Sequence, residues 1–179
     1  MRKFVYPLVL SLFLTATATT AYFTSWSIAS DYQIKFTGTG ATGTFSNLKG
    51  TINFMPDNLA GSNMRVSVAT ATISTGNTTK DKHARGESWF HADKYPKITF
   101  VSTAFRQKNN AYTVVGQMTI RGVNQSVEIP FTFEETSGGA VFVGEFTVDR
   151  QDYGIEGPWL SFTVADEFDI SLRVPVKRQ

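Results

Sequence analysis

The chain has 179 residues, 17 Lys and Arg against 15 Asp and Glu, and no cysteine. That length fits one ordinary domain, and the missing cysteines exclude a disulfide framework, a thiol nucleophile and a lipid-modified N-terminal Cys. The excess of two positive charges equals Arg2 plus Lys3. Without those two residues the chain is formally neutral, which removes the electrostatic case for a nucleic-acid partner.

In chain order, Met1-Arg2-Lys3 is a short basic start, Phe4 to Leu14 is an apolar run, and Thr15 to Ala21 supplies small residues. That is the layout of a secretory signal peptide, residues 1–21, with cleavage expected near Ala18 or Ala21. The apolar run is too short to span about 30 Å of hydrocarbon, so no stable membrane insertion of the mature chain is expected. Residues 22–179 are read as a single domain. Export without disulfides suits a periplasm, where a domain of this size can rely on its core.

Period-2 alternation dominates the rest. Trp26, Ile28, Tyr32, Ile34 and Phe36 share one parity, and Ile52 and Phe54 alternate with Thr51 and Asn53. Met64, Val66 and Val68 interleave with Arg65 and Ser67. Ile98 and Phe100 open a stretch that runs to Arg106. After the Asn109-Asn110 turn come Tyr112, Val114, Met118 and Ile120, then Val127, Ile129, Phe131 and Phe133. Gly138-Gly139 marks a hairpin before Phe142, Gly144, Phe146 and Val148, and Phe168, Ile170, Leu172 and Val174 close the series. This pattern predicts eight antiparallel strands with one apolar face each. A sandwich would interdigitate those faces, whereas an up-and-down barrel turns them all inward. The phenylalanines would serve equally to fill a core or to line an apolar cavity, and composition does not separate the two.

One long insert interrupts the alternation, from Thr75 to Pro96 between the third and fourth strands. It holds both histidines, the Trp89-Phe90 pair and many charges. Loops of that length are uncommon unless functional or internally structured. Thr78 to Asp81 offers a helix cap, Lys80 to Trp89 tolerates one or two helical turns, and Tyr95-Pro96 ends them. His83 and His91 do not have recognised ligand spacing, so no metal is expected. An i, i+8 pair sharing a helix face with Glu87 is the arrangement that would revive one. Asp81, His83 and Glu87 lack a nucleophile elbow, P-loop or dinucleotide fingerprint around them, so no catalytic residue is assigned. A second irregular stretch, Gln151 to Ala165, offers another lid, with Gly154 suited to a positive φ. Arg150, Asp152 and Tyr153 are expected to stabilise it.

Several blocks resemble the YceI-like family. They are Ile73-Ser74-Thr75-Gly76, Lys80-Asp81-Lys82-His83 and Trp89 through Phe100, with Gly43-Thr44-Phe45 ahead of Gly50-Thr51-Ile52-Asn53-Phe54. Gly116 through Val123 and Asp149 through Ile155 follow in order. The set covers the chain from about Trp26 to Val176. Lys80 stands where the family usually has Arg, Ala84 where Leu often follows the His, and Trp89-Phe90-His91 where it has Phe-Phe-Asp.

The resemblance implies an all-β fold, an eight-stranded antiparallel up-and-down, lipocalin-like barrel with a short helical insert. It implies an exported protein whose lumen holds a long apolar ligand, a polyisoprenoid or related lipid, with no other cofactor and no enzymatic activity. Lining candidates are Phe36, Phe54, Phe100, Met118 and Ile120 from the first five strands, and Phe131, Phe133, Phe146, Ile170 and Leu172 from the last three. Trp89, Phe90 and His83 are candidates for the mouth or lid. The competing reading is a secreted structural or stress-related module with a packed barrel that acts through a protein partner. Either is compatible with a homodimer.

Overall fold

The computed structural model describes residues 25–157 and 163–179; the expected signal peptide, Trp159 and Phe162 lie outside the described residues. The strands are β1 (Ser25–Ile28), β2 (Gln33–Gly38), β3 (Ala41–Thr44), β4 (Lys49–Asn53) and β5 (Asn63–Ala69). The one α-helix among the described residues, α1 (Thr78–Arg85), separates these from β6 (Lys97–Lys108), β7 (Ala111–Ile120), β8 (Val123–Thr136), β9 (Gly139–Asp149) and β10 (Glu167–Arg178).

All ten segments join one antiparallel sheet that closes on itself. They amount to eight staves. β1 and β2 are two halves of one stave, pairing with the two ends of β10: Trp26 lies opposite Arg178, and Thr37 opposite Asp169. β3 and β4 are likewise halves of the second stave, beside β2 and β1 respectively. The alternation from Trp26 to Phe36 therefore runs across a break in pairing at Ala29–Tyr32 without losing its inward parity.

Short turns set the register of the middle strands. Arg121 and Gly122, with φ of 51° and 80°, make the two-residue link between β7 and β8, and positive φ at both positions matches the twist of a tight hairpin. Between Ser102 and Ala104 the β6–β7 register slips. Such a bulge exchanges inward and outward positions beyond it, which turns Phe105 into the core.

The lumen has two unlike halves. At the end formed by β1 and the hairpins β6–β7 and β8–β9, the interior is solid with aromatic rings. Phe54 is fully buried, its centroid 4.9–5.5 Å from those of Phe105, Tyr112, Phe131, Phe133 and Phe142. Trp26 packs edge-on against Phe133 and donates its indole N–H to the Phe54 carbonyl at 2.9 Å. Toward the other end the rings thin out and a cavity begins.

Candidate functional site: an apolar cavity under a helical lid

The cavity has a volume of about 480 Å³, within the span of roughly 300–1,000 Å³ usual for small-molecule sites. Phe131 and Phe142 form its floor, where they also belong to the packed aromatic end. Inward side chains of the staves make the wall, among them Phe100, Met118, Ile120, Phe146, Ile170 and Leu172. Two glycines make room for the rings. A Cβ at Gly116 would stand 2.5 Å from the Phe100 ring, and one at Gly43 would stand 2.6 Å from Phe36. Phe36, itself buried, forms part of the wall near the mouth.

Of the lumen candidates, Phe54 and Phe133 are corrections: neither lines the cavity, and both are packed into the aromatic base. Their parity is inward, but the strands carry them past the floor. The remaining lumen candidates, and Trp89, Phe90 and His83, all border the cavity.

The insert builds the lid. Its ends are drawn together by Thr70, whose N–H donates to the Pro96 carbonyl at 3.0 Å and whose hydroxyl donates to the Tyr95 carbonyl at 2.7 Å. Helix α1 begins at Thr78, so the cap falls just ahead of the expected Thr78–Asp81 stretch, and the helix ends at Arg85 rather than running to Trp89. The Asn77 side chain accepts from the Lys80 N–H at 3.0 Å, a cap that satisfies an otherwise orphan donor. The Asp81 carboxylate accepts from the Thr75 N–H at 2.6 Å and hydroxyl at 2.7 Å. These two hydrogen bonds, backbone first, hold its carboxyl below the ordinary carboxylate range, against the opposing effect of burial and with lesser help from Arg85. Spacing of three and four residues on a helix puts side chains on one face, and Lys80, His83 and Ala84 all reach the cavity wall.

After Arg85 the chain turns back on itself. Phe90 N–H donates to the Ala84 carbonyl, and Ala92 N–H to that of Arg85, at 3.0 and 2.9 Å. His91 takes a positive φ of 47°. The helix thus ends well before His91, so the two histidines do not share a helix face. Among the described residues no cluster of His, Asp and Glu is arranged to hold a metal ion. The reversal presses Trp89 and Phe90 toward the lumen, with Phe90 edge-on to Phe45 at 5.7 Å.

A second lid element follows β9. Arg150 is buried, ion-paired with Asp166 at 2.6 Å, and donates to the carbonyls of Ala165 and Ile155. Its guanidinium lies 5.4 Å from the Trp89 ring centroid, a cation–π contact that ties the two lid elements together. Gly154 adopts φ 65° as expected. Beside it, burial pushes the Tyr153 phenol up to about 12, and the Asp152 carboxylate adds to the shift. Arg121, in the β7–β8 turn, clips both elements by donating to the carbonyls of Glu87 and Gly154.

Sequence reasoning gave Arg150 only a loop-stabilising part, yet it borders the cavity. The signal was present: Arg150 continues the inward parity of Phe142, Gly144, Phe146 and Val148. Phe45, Ile73 and Ile155 also border the cavity, but they sit outside the regular alternation that identified the other residues.

A hollow antiparallel barrel of eight staves, lidded by a helix between the third and fourth, agrees with the match of the YceI-like domain model over residues 12–176. The chain belongs to the YceI-like family. Among curated relatives, a UPF0312 protein of Pseudomonas savastanoi pv. phaseolicola is 33% identical over 123 residues, 65% of this chain and 64% of the relative. One from Yersinia pestis is 31% identical over 100 residues, 55% of this chain and 52% of the relative. The alignments therefore span about half to two thirds of those relatives' lengths.

Solved YceI-like structures share the fold at low identity. BcnA of Burkholderia cenocepacia superposes with a TM-score of 0.78 at 24% identity, covering 83% of this chain and 99% of that one. A polyisoprenoid binding domain from Saccharophagus degradans, implicated in plant cell wall breakdown, gives a TM-score of 0.70 at 12% identity, covering 88% and 100%.

Proposed function

We propose that this YceI-like chain is an exported, periplasmic binding protein that holds or carries a long apolar chain, a polyisoprenoid or related lipid, in the lidded half of the barrel. The observation that carries the reading is the cavity of about 480 Å³ walled by aliphatic and aromatic side chains. Each methylene moved from water into such a wall gains about 0.8 kcal/mol, so a long chain needs few polar contacts to be held. The polyisoprenoid-binding domain with the same fold supports this choice of ligand class. Periplasmic location rests on the basic, apolar and small-residue order of residues 1–21.

The polar groups around the cavity favour binding over catalysis in this reading. Arg150, on the cavity wall, is committed to Asp166 and two carbonyls, and Asp81, behind the wall, is committed to Thr75. The packed-barrel alternative describes the aromatic base well but leaves the hollow half without a purpose.

Native mass spectrometry of protein purified without detergent, followed by solvent extraction, tests the proposal. A bound apolar species, or stoichiometric uptake of added prenyl lipid, is the expected result. Repeated absence of both overturns it.

A further inference from the structure

A polar recess lies beside the apolar cavity. Where β3 runs past the start of α1, a recess of about 250 Å³ is lined by Gly38, Gly40, Ala41, Thr42, Thr75 and Lys80. Four of these, Gly40, Ala41, Thr75 and Lys80, also border the cavity, so the two spaces share a wall.

The recess exists because the second stave loses its neighbour there. Thr44 exchanges both backbone hydrogen bonds with Ser74, at 2.8 and 3.0 Å, and the chain then swings away through Thr75 and Gly76 into the helix. In an antiparallel strand every second residue turns its N–H and C=O to the same edge. Thr42 and Gly40 therefore face the gap as Thr44 faces Ser74. The Gly40 carbonyl accepts from Lys80 Nζ at 3.3 Å. The Thr42 N–H, turned from β2 by the same alternation, meets no loop or side-chain acceptor among the described residues.

Among the described residues, Lys80 is the only charged side chain lining the recess. It makes one long hydrogen bond, to a neutral carbonyl, and no ion pair among the described residues. The nearby Asp81 carboxylate is turned to Thr75 and lies 4.0 Å from Arg85. Lys35 and His83 border the adjoining cavity and add no negative charge. The Lys80 ammonium and the gap-facing edge of Thr42 thus line one recess beside an apolar chamber, while the Thr75 hydroxyl is taken up by Asp81.

We infer that this recess receives an anionic head group, a carboxylate or a phosphate monoester, on the chain held in the cavity. Lys80 Nζ and the Thr42 N–H are its donors. The inference rests on the lipid-binding reading and narrows it to acidic amphiphiles.

Geranylgeranyl phosphate, geranylgeranoic acid and geranylgeraniol share one chain and differ in the head, and their affinities for the full chain can be compared by displacement of a fluorescent lipid. At low salt at least one of the anions should bind roughly tenfold or more tighter than the alcohol, the usual scale of a hydrogen bond to a charged group. The tighter anion then identifies the head. Lys80→Met should abolish the preference for the anions over the alcohol, and Lys82→Met, on the same helix but outside the linings of cavity and recess, should retain it. High salt should shrink the preference, because Lys80 is solvent-exposed. Equal binding of all three probes overturns the anionic head and leaves the lipid reading standing. Failure of all three to bind counts against the lipid reading itself. Loss of the alcohol in Lys80→Met makes the lysine a structural latch and also overturns the assignment.

Discussion

The two ends of the barrel use the same residue types to opposite effect. At the base, Phe54 is ringed by five aromatic neighbours, and the Trp26 indole N–H and Phe54 carbonyl satisfy each other. Under the lid, Phe100, Phe146, Ile170 and Leu172 face open space. What differs is how the lumen is closed. The base is filled from its own strands, whereas the other end is bordered by the insert and by Arg150, Tyr153 and Ile155, with open space beneath them. The base should therefore carry stability, and the lidded half should carry binding.

The largest effect should come from Phe54→Ala. Removing a fully buried ring from a close-packed cluster typically costs about 3–5 kcal/mol, visible as a large fall in the urea midpoint. Ile170→Trp, which adds bulk to the hollow half, should shift the midpoint little and abolish lipid uptake. The comparison breaks if both variants affect stability equally.

A smaller effect is expected at the joint between the lid elements. Arg150→Met removes the Asp166 ion pair and leaves the carbonyls of Ile155 and Ala165 without their donor. Unsatisfied buried groups cost about 1–3 kcal/mol, and Asp166 remains half-exposed. Hydrogen exchange should accelerate in residues 150–157 and around Trp89, with the base strands unchanged. Acceleration spread evenly over the barrel would show that the two halves are one cooperative unit.

Strand parity made the staves legible where alternation survives a break, as at Ala29–Tyr32; across Phe45–Leu48 it inverts, with Gly43 and Phe45 inward before it and Ile52 inward after it. It did not make the filling legible. Phe54 and Phe133 share the inward parity of Phe100 and Phe146, and only depth along the barrel, set by register, separates a packed ring from a lining one. Phe105 was hidden by the bulge at Ser102–Ala104, which inverts the parity on which such a reading depends. Lid residues such as Ile73 and Ile155 had no period to follow. The helix was foreseeable, but Thr78–Asp81 was read as its cap where Asn77 caps it, because Asn and Thr are both competent caps.

The smallest effect should appear in acid. The folded pKa of Asp81 is lowered, so its contribution to stability is present above its ordinary value of 3.8 and is lost as pH falls through the folded value. Below about pH 4, exchange at α1 should rise ahead of global unfolding, and Asp81→Asn should remove that pH dependence. An α1 that loosens only together with the base would contradict a separately held lid.

The division of labour is tested most directly by nuclear Overhauser effects between a bound, isotopically labelled prenyl chain and assigned side chains. The account predicts contacts from the chain to the methyl groups of Ile120, Ile170 and Leu172 and none to the Phe54 ring. A chain that contacts Phe54, or lies against the outer wall, would contradict it.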